Sequence, residues 1–266
     1  FHLLSIDALL KYSGHNFVMK AYFKMSKIRY LFQFMREHKW RFLTLLYIPI
    51  YLYFFHMAEC ITDSNFHYLN TSLDDKIPFI EIFVLPYLAW FGYLTYGIAY
   101  TIFKKDGRYY YPLGLNLAIG MTLFIIVSYV WPNAIAIRPT VMPRDNIFTR
   151  LVAFLYMADT PTNVLPSIHV YDSIGMHWGM CQTEFFRTHK RARRNSFILM
   201  ILILLSTLFI KQHSIIDLMA GIALQLVVGI ITYGPANGWI FRTARKFDSD
   251  VSLSSTPESK NLSSEA

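Results

Sequence analysis

Sorting apolar from polar positions along the chain gives six runs of about bilayer length, at 42–57, 78–103, 113–131, 167–186, 196–212 and 213–233. A hydrocarbon core of roughly 30 Å takes about 20 mostly apolar residues per helix. Each run is therefore expected to be a membrane-spanning helix. Residues 196–210 read SFILMILILLSTLFI without a single charge. The run at 167–186 differs, because Asp172, Ser173, Gly175 and His177 interrupt it. Polar groups are costly in lipid, so this helix is expected to face protein or water and becomes a site candidate. The last two runs meet at Lys211-Gln212-His213-Ser214, a short polar turn pinned at one membrane face.

Composition agrees with this pattern. Hydrophobic residues make up 54% of the chain and charged residues 16%, with a mean hydropathy of +0.33. These values exclude a disordered chain and a collagen-like fibre, and they argue against an ordinary soluble domain. Two cysteines, Cys60 and Cys181, leave no disulfide framework and no cysteine zinc site.

The net charge of +8 is compatible with nucleic acid or with the cytoplasmic side of a membrane, and position separates the two. With the N-terminus inside, twenty of the 25 Lys and Arg fall in the inner segments 1–41, 104–112, 182–195 and 235–266. The five outer ones are Lys76, Arg138, Arg144, Arg150 and Lys211. This bias orients the chain with both termini cytoplasmic and accounts for the charge without nucleic acid. Anionic lipids are the expected partners of the basic clusters.

The expected architecture is all-α, a six-transmembrane-helix bundle in three parts. Residues 1–41 form a basic amphipathic segment, with an interfacial helix over the aromatic and basic stretch 20–41. Residues 42–233 form the six-span catalytic domain. Residues 234–266, Ser-rich and acidic after Phe247, form a disordered cytoplasmic tail.

Under this topology three polar clusters reach the same outer face: Arg138-Pro139, Pro166-Ser167-Ile168-His169, and Lys211-Gln212-His213 with Asp217. His213 and Asp217 are four apart, which on a helix puts them on one face. A carboxylate there fixes the imidazole tautomer and leaves the other ring nitrogen as a nucleophile. His169, from another helix, supplies a second proton-transfer group. Arg138, Lys211 and the Ser167 hydroxyl supply positive charge and donors for a phosphate-like anion. Together they fit phosphoryl transfer. A His/His/Asp metal site is disfavoured by the two neighbouring cations, and no P-loop, dinucleotide fingerprint or GxSxG elbow is present. Asp172 and His177 receive no role.

At these clusters the sequence resembles the type 2 phosphatidic acid phosphatase (PAP2) superfamily, whose motifs are Lys-x6-Arg-Pro, Pro-Ser-Gly-His and Ser-Arg-x5-His-x3-Asp. Arg138-Pro139 resembles the end of the first motif and Pro166-Ser167-Ile168-His169 the second. Ser206-Thr207 with His213-Ser214-Ile215-Ile216-Asp217 resembles the third. Trp131, Ile168 and Thr207 stand where the motifs have Lys, Gly and Arg. The run 206–213 is similar to the branch containing inositol-phosphoceramide synthases.

The resemblance implies a metal-independent, cofactor-free membrane lipid phosphatase with its active site on the extracytoplasmic face. His213 would attack phosphorus to form a phosphohistidine, with Asp217 orienting its ring. His169 would protonate the leaving alcohol, and Arg138, Ser167 and Lys211 would bind the phosphate. The substrate would be a lipid phosphomonoester or diphosphate. With a lipid alcohol as acceptor, the same intermediate makes a phosphotransferase. The reading from another class is a non-catalytic transporter or binding protein for anionic lipids.

Overall fold

A computed structural model describes residues 28–61, 65–104, 107–235, 237–240 and 242–243. The expectations for residues 1–27 and for the tail beyond 243 lie outside these. The chain divides into two units, Phe1–Leu43 with Lys246–Ala266, and Thr44–Arg245. In the first, residues 28–37 are helical, and the Phe34 ring packs against His38 and Phe42.

The chain is mostly helical. The helices are α1 (Lys39–Thr44), α2 (Tyr47–Glu59), α3 (Val84–Ile102), α4 (Tyr110–Val130), α5 (Ile147–Ala158), α6 (Ile168–Gln182), α7 (Glu184–Thr188), α8 (Lys190–Phe209) and α9 (Ile215–Tyr233). Among the described residues five helical segments are long and apolar enough to cross a membrane: Lys39–Glu59, Glu81–Ile102, Tyr110–Val130, Lys190–Phe209 and Ile215–Tyr233.

The fourth expected run is the exception. Helix α6 has 15 residues, and it packs against α3, α4, α8 and α9. Nine of its residues are buried, including His169, Asp172 and Ser173. Protein surrounds this helix, which removes the need for lipid-compatible side chains. Its N-terminus is set by Ser167, whose hydroxyl accepts the Val170 N–H.

The start of α6 is tied to the first turn of α9, with the Ser167 N–H donating to the Asp217 carbonyl at 3.1 Å. A Cβ on Gly221 would stand 2.7 Å from the Ser167 carbonyl oxygen, so only glycine lets the two backbones close to this distance. Further along α6, Met176 and Met180 join Trp90, Tyr93, Leu113, Leu117 and Ile203 in an apolar core.

Loops cover the end of the bundle where α6 begins. Strand β1 (His67–Tyr68) pairs in parallel with β2 (Asn133–Ala134). The Asn133 side-chain oxygen accepts the Val164 and Leu165 N–H groups at 2.8 and 2.9 Å, fixing the approach to Ser167. A 3-10 turn, Asp74–Lys76, lies against the α8–α9 turn. Helix α5 starts on a capping box between Asn146 and Thr149.

Candidate functional site

The α8–α9 turn is the centre of the candidate site. Helix α9 begins at Ile215, so His213 lies one residue before the N-cap rather than on the helix. Its approach to Asp217 has a different origin from the four-residue helical spacing. Ser214 and Asp217 form a capping box, and Asp217 Oδ2 accepts the Ser214 N–H at 2.8 Å. The same oxygen accepts His213 Nδ1–H at 3.1 Å. One carboxylate therefore starts the helix and fixes the imidazole. Asp217 is fully buried, and its Oδ1 has no hydrogen-bond partner among the described residues.

His213 Nε2 points to His169 Nδ1 at 3.3 Å. The two rings come from elements 44 residues apart and are brought together by the Ser167–Asp217 backbone bond described above. His169 is bracketed by aromatic rings of α3, with Tyr87 stacked at 4.5 Å and Trp90 tilted at 4.3 Å. The bracket holds the ring plane, leaving its Nδ1 edge toward His213.

Of the three expected phosphate-binding residues, none is free of other duties. Arg138 donates from Nη1 to the Asp159 carbonyl at 2.8 Å and from Nη2 to the Thr160 carbonyl at 3.1 Å, and also to Gln212 Oε1. Its guanidinium lies 4.5 Å over the Tyr156 ring. Its Nε–H and the Gln212 amide nitrogen are buried with no partner among the described residues. Lys211 adopts a positive φ of 55° and sends its ammonium to the carbonyls of Asp74 and Ile77, 2.6 Å each. Ser167 serves as the α6 cap. The structure thus brings His169, His213 and Asp217 into one contiguous chain of contacts and sets Arg138 beside it through Gln212. Lys211 points its ammonium to the 74–77 loop.

Several residues at this place carried no signal in the sequence. Asp74 accepts the Ile215 N–H through Oδ1 and the Thr71 N–H and hydroxyl through Oδ2, anchoring the first turn of α9. Asp159 accepts the Tyr87 hydroxyl at 3.4 Å. Burial pushes the Asp159 carboxyl above its ordinary value, opposed by the charges of Arg138 and His213. Glu59 accepts the Thr160 hydroxyl. Gln212 was visible in the polar turn, yet its contact to Arg138 spans 74 residues, and no local pattern encodes that.

Chemically, an imidazole with one nitrogen fixed by a carboxylate and the other facing a second imidazole can act as nucleophile and proton shuttle. Neighbouring N–H donors suit an anion. No family model, curated protein or solved structure matches the chain.

Proposed function

We propose that the chain is an integral-membrane lipid phosphatase of the PAP2 kind, with α6 as a sixth, protein-encased span. In this reading both termini are cytoplasmic and the histidine pair lies on the extracytoplasmic face, as the Lys and Arg distribution suggests. The observation that carries the reading is the relay from Asp217 Oδ2 through His213 to His169, at 3.1 and 3.3 Å.

The lipid phosphate enters between the two rings, separating Nε2 of His213 from Nδ1 of His169. His213 Nε2 attacks phosphorus as the bond to the lipid oxygen breaks, and His169 gives that oxygen its proton. Asp217 holds the Nδ1–H and balances the imidazolium that forms. The Arg138 Nε–H and the Gln212 amide N–H, unpartnered among the described residues, donate to the equatorial oxygens. Water, deprotonated by His169, then attacks phosphorus and breaks the P–N bond, returning both histidines to their starting states. An alcohol in place of water gives the phosphotransferase.

Rapid quench of the purified protein with a ³²P-labelled lipid phosphate tests this. Label trapped on wild type and absent from His213→Ala supports the reading, whereas wild-type turnover by His213→Ala overturns it. Bound but untrapped, unhydrolysed lipid would instead indicate a binding protein or transporter. Orthovanadate, a mimic of the transferring group, should inhibit. Sidedness is read separately: Cys60 follows α2 at the histidine end and is exposed, while Cys181 lies at the far end of α6. A membrane-impermeant maleimide applied from outside should label Cys60 and spare Cys181.

A further inference from the structure

One turn beneath the histidine pair lies a second polar cluster that the phosphoryl-transfer reading does not use. Asp172 follows His169 by three residues on α6, about 4.5 Å along the axis. It is 1% exposed, and neither carboxyl oxygen has a hydrogen-bond partner among the described residues. Asn116 of α4 and Gln225 of α9 are both fully buried. Asn116 gives one amide N–H to Thr232 at 3.1 Å, and its Oδ1 and both polar atoms of Gln225 have no partner among the described residues.

These side chains converge on α6. A Cβ on Gly175 would stand 2.5 Å from Asn116 Oδ1 and 3.1 Å from Gln225 Oε1. Gly175 and Asp172 are three apart and share a helix face.

The balance of donors and acceptors is one-sided. Four oxygens, two from Asp172 and one each from Asn116 and Gln225, offer acceptor lone pairs, against three remaining N–H donors, two on Gln225 and one on Asn116. A buried carboxyl that stays ionised needs a compensating charge. The donor set is entirely hard oxygen, which favours alkali or alkaline-earth ions over transition metals. With a single carboxylate, a monovalent ion gives neutrality, while a divalent one leaves a net charge inside the bundle.

We infer that Asp172, Asn116 and Gln225 form a buried binding site for a monovalent alkali cation. The ion sits between α4, α6 and α9 and neutralises Asp172.

The test uses the full chain purified into phosphatidylcholine nanodiscs. Melting temperature is followed against NaCl and against KCl, with choline chloride holding ionic strength constant, and ²³Na NMR line broadening reads binding directly on wild type. Expected is a saturable rise in melting temperature with at least one alkali ion. In Asp172→Asn and in Gln225→Leu its half-saturation should weaken at least tenfold or vanish, while the exposed-loop control Asp145→Asn should retain it. Should Asp172→Asn fail to fold, Gln225→Leu and the wild-type NMR titration decide. Equal behaviour of wild type in alkali and choline salts overturns the proposal, as does an unchanged response in Asp172→Asn. An absence of ²³Na broadening together with no alkali-dependent rise, as when only water occupies the cluster, overturns it as well.

Discussion

At the histidine end of the bundle, Lys211, Asp74, Asn133 and Arg138 commit most of their hydrogen-bonding groups to backbone; one turn deeper, both Asp172 carboxyl oxygens, Asn116 Oδ1 and both polar atoms of Gln225 have no partner among the described residues. Both regions are polar and buried, so composition and burial do not distinguish them. The difference is in what each group touches. A side chain that satisfies a loop carbonyl or a helix N–H shapes the protein. A buried group left unpartnered calls for something the chain itself does not supply. The expected phosphate ligands Arg138 and Lys211 belong largely to the first kind, with Arg138 Nε the exception.

The comparison makes predictions that run from large effects to none. Asp74→Ala and Asn133→Leu each strip acceptors from buried or half-buried N–H groups, of Ile215 and Thr71 in one case and of Val164 and Leu165 in the other. Each should cost about 2–4 kcal/mol, read as a fall in the unfolding midpoint, and under the proposed phosphatase reading hydrolysis should fall with it because the α6 and α9 starts move. Lys211→Met leaves two carbonyls without their ammonium and should cost about 1–3 kcal/mol. If it instead abolished turnover at unchanged stability, Lys211 would belong with the ligand-binding groups. Gln225→Leu removes unpartnered polar atoms and, in choline salt, should leave stability unchanged or raised. A large loss there would mean that the deeper cluster is satisfied after all. Arg150→Ala breaks an exposed pair with Asp145 and should not shift the melting temperature beyond error.

Much of the frame was legible because lipid imposes a length and a polarity on helices, and five of the six apolar runs correspond to helices long enough to cross. The sixth, α6, was marked by its own polar interruptions, which are tolerated only because four other helices surround it. The meeting of His169, His213 and Asp217 could be anticipated, since helices of one bilayer length return the chain to the same face. Its mechanism could not: the capping box puts His213 ahead of α9, and the capping oxygen doubles as the imidazole's partner. The roles of Asp74, Asn133 and Gln212 depend on partners 31 to 141 residues away and leave no periodic trace. Asp172 stands out in the sequence without a role, because a polar residue in a buried helix acquires meaning only through its neighbours.

The aromatic bracket on His169 also has an optical consequence. Of the five tryptophans, Trp90 is the one whose indole lies against this imidazole, 4.3 Å between ring centres, and it is nearly excluded from solvent. Imidazolium quenches indole emission more strongly than neutral imidazole does, so each proton that His169 takes up or releases should modulate Trp90 fluorescence. Replacing Trp40, Trp131, Trp178 and Trp239 with phenylalanine would leave a single intrinsic reporter. With it, ligand arrival and turnover could be followed in an unlabelled protein by stopped flow.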